Sequence, residues 1–248
     1  ALVAGASWPL SGQWLSHVVH PNLLGAVALA PLAFAYVEES KRRGRAARLI
    51  WLAPVMALSF FAGHPHMFYL SALATGLLVL LDPSRARLGW LAVSAALTAL
   101  LCGPLLWPAA ELHGLSQRAT GLTPFNTSMG SLSVSNLARW LHPWIDGDVS
   151  RLGTAFPADG TFIWTHAGWL AVVALGLACA RAPRDSRLRR PLICLGLSLM
   201  VALGANFPGA ALFRLIPGFS LFRFPSRALF YSELVLALLT GWLVQRGM

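Results

Sequence analysis

Two arginines bracket a proline in the segment Leu221-Phe-Arg-Phe-Pro-Ser-Arg-Ala-Leu-Phe230, just ahead of an apolar run from Ala228 to Val244. Arg223 and Arg227 are permanent cations at the edge of hydrocarbon. Pro225 suits the first turn of a helix, where its missing N–H costs nothing. Ser226 and Arg227 then lie at a helix N-terminus, which attracts anions. A guanidinium adds a forked donor that matches phosphate oxygens. The segment reads either as a site for an anionic lipid headgroup or as a pair of snorkelling anchors. Glu233 follows about one and a half turns into the same helix. A carboxylate in hydrocarbon normally faces a cavity or a partner. It is off the helical stripe of Arg227, so its partner must come from another helix.

Other candidates are spread along the chain. Gly63-His-Pro-His66 sets His64 and His66 two residues apart at a turn. They can orient a substrate by hydrogen bonding, shuttle a proton or contribute to a metal site, or the turn can be simply capped. Asp146-Gly-Asp148 offers two carboxylates for a divalent cation or a general base, and equally well a turn. Glu111, in Trp107-Pro-Ala-Ala-Glu111, sits just past an apolar run, and with Arg118 it either lines a headgroup site or is solvated. No nucleophile elbow, P-loop or dinucleotide motif accompanies them. Cys102, Cys179 and Cys194 all fall inside apolar runs and read as packing residues rather than metal ligands.

These residues need elements to hold them, and the composition says which. The chain has 248 residues, 56% hydrophobic and 11% charged. Soluble domains carry about 25% charged residues. The apolar residues form continuous runs near bilayer length, so the expected fold is an all-α, polytopic transmembrane bundle and not a β-barrel. About seven spans are predicted, at 22–38, 48–63, 66–81, 88–108, 161–181, 190–206 and 228–245. The second and third are expected to form a tight helical hairpin at Gly63–His66, because proline disfavours helix in the residue before it.

The net charge of +10 does not point to nucleic acid. Thirteen of the nineteen Lys and Arg residues lie in Lys41–Arg48, Arg85/Arg87, Arg181–Arg190 and Arg246, in loops alternating with poorly basic ones. That is the positive-inside pattern, and it assigns the basic loops to the cytoplasm. All seven histidines and five of the nine acidic residues then fall on or near the outer face. Residues 109–160 form an extracytoplasmic loop region within a single transmembrane domain spanning 1–248. A loop that long is usually functional or partly structured. Asn136–Leu141 suits a short interfacial helix, with Trp140 and Trp144 at headgroup depth. The chain opens on Ala-Leu-Val-Ala-Gly and closes on Gln245-Arg-Gly-Met248, so both ends read as cut from something longer.

Three motifs carry a resemblance. Ser11-Gly-Gln-Trp-Leu-Ser16 before His20-Pro21, then Ala62-Gly-His-Pro-His66, then Pro217-Gly-Phe-Ser-Leu-Phe-Arg-Phe-Pro-Ser-Arg227 together resemble the YfhO-like bacterial membrane proteins. These are similar to the GT-C class of polytopic glycosyltransferases. The resemblance implies a polyprenyl-phosphate-linked sugar as donor and a cell-envelope glycopolymer or lipid as acceptor. It places the chain in the bacterial cytoplasmic membrane, with its site facing outside. It also implies a catalytic carboxylate in a first outer loop. That loop would lie before Ala1, so the chain departs from the pattern there. Asp146, Asp148 and Glu111 remain fallback bases. Arg223 and Arg227, with Arg118 less central, would meet the donor phosphate, and His64 and His66 would orient it. Two other functions fit the sequence: a transporter or flippase of lipid-linked sugars, and a non-catalytic membrane scaffold.

Overall fold

The computed structural model describes residues 2–41, 44–116, 119, 122–142, 145 and 166–247. Their regular structure is helical throughout. Helical stretches at Pro21–Ser40, Arg85–Gly114, Ser186–Asn206 and Pro225–Arg246 are long and apolar enough to cross a membrane. Three shorter apolar helical stretches occupy Ala46–Phe61, Pro65–Leu80 and Trp169–Arg181. Each predicted run thus meets an apolar helix, and four of these have spanning length within the described residues. They mark a membrane protein.

The chain divides into two compact units: Ala1–Val19 with Leu122–Met248, and His20–Gly121. The second is inserted in the sequence of the first. The discontinuous unit starts with α1 (Leu2–Ser7) and α2 (Gly12–Ser16). The inserted unit holds α3 (Pro21–Ala28), α4 (Ala30–Ser40), α5 (Leu52–Phe61), α6 (Pro65–Leu80) and α7 (Arg85–Gly114). The discontinuous unit resumes with α8 (Pro124–Ser128), α9 (Trp169–Arg181), α10 (Ser186–Leu203) and α11 (Leu229–Gly247).

In the inserted unit, Ala33, Val37, Leu49, Leu52, Val55, Met56 and Val79 form the main buried cluster. Ser59 Oγ donates to Ala26 O at 2.8 Å, satisfying a hydroxyl between α5 and α3. The expected hairpin is present: α5 ends at Phe61 and α6 starts at Pro65. Arg87 read as one more loop charge. It is in fact buried, with its guanidinium donating to Asp82 O and to Ser40 Oγ (3.1 Å), and 3.3 Å from the Asp82 carboxylate. It ties the start of α7 to the end of α4. Cys102 packs with Ala57 and Phe60, as a small apolar side chain should.

α7 runs past its predicted end at 108 to Gly114, with Pro104 and Pro108 inside it. A proline removes one i→i−4 bond but does not end a membrane helix that neighbours support. Glu111 is therefore helical rather than in a loop. Of the region 109–160, the described part holds α8 and a 3-10 turn at Val134–Trp140, close to the expected interfacial helix.

In the discontinuous unit, Ala171, Ala174 and Ala178 line one face of α9. They pack with Leu188 and Leu195 of α10 and with Val235, Leu236 and Leu239 of α11. Small residues let helix backbones approach closely, the usual route to packing where lipid removes the hydrophobic drive. Ser198 and Ser232 hydroxyls meet at 2.8 Å between α10 and α11.

Candidate functional site

The corner that starts α11 is built from three strands of chain. Phe224 N–H donates to Met129 O at 2.9 Å, and Ser226 N–H to Gly130 O at 3.3 Å. Leu132 N–H donates to Ala202 O at 2.8 Å, and Ala205 N–H to Ser131 Oγ at 3.0 Å. Two glycines make the approach possible. A Cβ on Gly130 would strike Phe224, and one on Gly204 would strike Ser131 and Pro225; both glycines have positive φ, +72° and +50°. Phe224 itself is held at φ 62°, the one non-glycine residue with positive φ among those described. Such strain persists only where the surroundings over-determine it, often at binding sites.

Pro225 then opens a 3-10 turn, Pro225–Ala228, which runs into α11. The predicted proline at the helix mouth is thus in place. The Arg227 guanidinium stacks over the Phe224 ring at 4.9 Å. Arg223 is half-buried, and its Nε–H is shielded from solvent without an acceptor among the described residues. The Ser226 hydroxyl is also buried without a partner among the described residues. Beside the corner lies a groove of about 480 Å³, lined on one side by Pro225 and Gly204 and elsewhere by Phe125, Phe213, Phe219 and Arg214. Thr127, Ser128 and Ser220 add hydroxyls. The Phe213 and Phe219 rings stack at 5.3 Å, and Phe207 extends the row at 5.8 Å from Phe213. The groove combines an apolar wall, hydroxyls and a cation, a lining suited to an amphiphile with an anionic head.

Glu233 does not open onto this groove's lining. It is 1% exposed and clasped by the N-terminal segment. Ser11 Oγ donates to its Oε2, and Gln13 N–H donates to Oε1 and Oε2 at 3.3 and 3.2 Å. The required partner is thus the start of α2, more than two hundred residues earlier. Trp8 Nε1 donates to Phe230 O at 3.0 Å, while the Trp14 and His17 rings meet the Phe230 ring edge-on at 6.2 and 5.2 Å. Gln13 and His17 are fully buried. Of the two settings expected for this carboxylate, as a substrate-binding group facing a cavity or as a group held by a partner, it occupies the second, enclosed by protein donors.

The remaining candidates separate. His64 and His66 belong to the inserted unit. His64 caps α6, its Nδ1 accepting from Met67 N–H at 3.2 Å, and His66 is buried. The first is the capped-turn reading of Gly63–His66. Glu111 lies exposed on α7 and accepts from Trp107 Nε1 at 2.9 Å, an i, i+4 pair on the helix surface. Arg118, Asp146 and Asp148 lie outside the described residues. Among the described residues, no group of three or more His, Cys, Asp and Glu is placed to hold a metal.

Sequence reasoning passed over Arg214, which lines the groove, and Arg139, which is 4% exposed in the 3-10 turn with its carbonyl 3.2 Å from His166 Nδ1. Both are among the few arginines outside the basic loops, and that was the available signal. Ser11 and Gln13 stood in a motif, but nothing in it named Glu233 as their partner. The chain matches no protein-family model, no curated protein and no solved structure. The likeness to the YfhO-like proteins rests on its three motifs alone.

Proposed function

We propose that this chain is the donor-binding part of a GT-C-like membrane glycosyltransferase with about seven spans. It takes a sugar from a polyprenyl-phosphate carrier on the extracytoplasmic face. The observation that carries the reading is the corner at Phe224–Arg227. A strained backbone and two arginines stand where a spanning helix begins, and Pro225 between them also lines an amphipathic groove that bears Arg214 but neither of the two. As the glycosidic bond breaks, the leaving phosphate gathers negative charge. Fixed guanidiniums there favour the transition state over the ground state. The apolar wall of the groove suits the prenyl chain, and its hydroxyls suit the headgroup. The base that activates the acceptor is assigned to no described residue.

The test uses the full-length protein in proteoliposomes with a radiolabelled polyprenyl-phosphate sugar. Arg223→Ala and Arg227→Ala are expected to lower transfer about a hundredfold each, the usual scale for losing one transition-state donor. Transfer at the parent rate in both variants removes the headgroup role of this corner.

A further inference from the structure

The other end of α11 gathers charge in a different way. α9 ends at Arg181, α10 begins after Asp185, and α11 closes on Arg246. Six arginines meet there with one aspartate: Arg181, Arg184, Arg187, Arg189, Arg190 and Arg246 against Asp185. Some are engaged within the protein. Arg246 pairs with Asp185 Oδ2 at 3.1 Å, and Asp185 Oδ1 also accepts from Arg187 N–H at 3.0 Å. Arg189 donates to the carbonyls of Ala182 and Pro183 at 3.2 and 3.1 Å, closing the end of α9. The exposed guanidiniums of Arg184 and Arg187 have no partner among the described residues. One aspartate therefore faces a large excess of fixed positive charge.

A second, independent feature adjoins the charge. Arg181 and Arg246 both stack on the Trp242 ring, at 5.7 and 5.6 Å from its centroid. The Trp242 Nε1–H is buried with no acceptor among the described residues. Indoles prefer the headgroup level of a bilayer, with the ring in hydrocarbon and the N–H toward polar groups. Leu238, one turn before Trp242, is exposed, as are Val173 and Leu177 on α9 and Ile193 and Leu197 on α10. Apolar stripes thus lead away from a basic rim, the layout of an acyl chain below a phosphate.

We propose that the ends of α9, α10 and α11 form a site for the phosphodiester headgroup of an anionic phospholipid, bound by Arg184 and Arg187 beside the Arg181–Trp242–Arg246 stack. The site is separate from the corner at Phe224–Arg227. A helix from Pro225 to Arg246 is about 30 Å long, so the two ends of α11 address opposite leaflets. Loop charge assigns this end to the cytoplasmic leaflet, whose anionic lipids attract basic clusters.

Native mass spectrometry of the detergent-solubilised full chain tests this, with phosphatidylglycerol, phosphatidylcholine and free glycerol phosphate as probes. Phosphatidylglycerol is expected to bind in preference to phosphatidylcholine. The R184A/R187A double variant should weaken that binding roughly thirtyfold, the product of two surface arginines. R184K/R187K should recover most of it, which separates lost charge from lost fold. Trp242→Phe should weaken it about threefold by loosening the stack that holds Arg181 and Arg246. Equal affinity for the two phospholipids overturns the proposal. So does unchanged phosphatidylglycerol binding in R184A/R187A. Full displacement by equimolar glycerol phosphate would make this a site for a small anion instead of a lipid.

Discussion

α7 and α11 both belong to stretches long and apolar enough to cross a membrane, yet they live in different surroundings. The most apolar window of the α7 stretch has mean hydropathy 1.8 and is 17% buried in protein. That of the α11 stretch has mean hydropathy 1.5 and is 67% buried. The more apolar helix is the less enclosed one. A soluble protein would reverse this order. In a bilayer, lipid serves as well as protein for leucine, and polar atoms are what require enclosure. α11 and the turn before it bury Ser226, Ser232, Glu233 and Thr240. α7 buries Ser94, Thr98 and Cys102 along one stripe and leaves Leu100, Leu105 and Trp107 exposed.

That contrast can be broken by substitution. The largest effect is expected from Glu233→Leu. It keeps the volume but orphans Ser11 Oγ and Gln13 N–H, and should cost about 4 kcal/mol. Unfolding in a detergent series measures the loss. Faster proteolysis within residues 2–19 should accompany it, and Glu233→Gln, which keeps an acceptor, should retain most of the stability. Leu236→Ala, in the enclosed core, should cost about 3 kcal/mol in the same assay. Gly130→Ala should cost about 2 kcal/mol, since the new methyl meets Phe224 and the positive φ is strained. Leu100→Ala on the exposed face of α7 should change stability by less than about 0.5 kcal/mol. If Leu100→Ala cost as much as Leu236→Ala, α7 would be as protein-enclosed as α11 and the contrast would fail.

The places of the helices were legible because continuous apolar runs announce themselves without any partner. Their limits were less so. Hydropathy ended α7 at 108, whereas backbone hydrogen bonding carries it to Gly114 past two prolines. Loop charge grouped Arg85 with Arg87, but could not tell that Arg87 turns inward to Ser40 and Asp82. At the candidate site, Pro225 at the helix mouth was readable from local chemistry. The strain at Phe224 was not, because it is imposed by Met129 and Gly130 from a distant segment. Glu233 was recognisable as a group in need of a partner. Its partners lie more than two hundred residues away, and a single sequence carries no signal across that distance. His64 illustrates a local ambiguity: the same ring that could orient a sugar is the one that caps α6.

The clasp between Glu233 and the start of α2 also sets an order of events at the ribosome. The separation from Gln13 to Glu233 is 220 residues. At translation rates of about 5–20 residues per second, Gln13 waits roughly ten to forty-five seconds for its acceptor. During that interval the whole of His20–Gly121 has been synthesised and can pack on its own contacts. Ser11, Gln13 and Trp8 meanwhile lack the acceptors they meet on α11 in the folded chain. Emergence of α11 supplies those acceptors together.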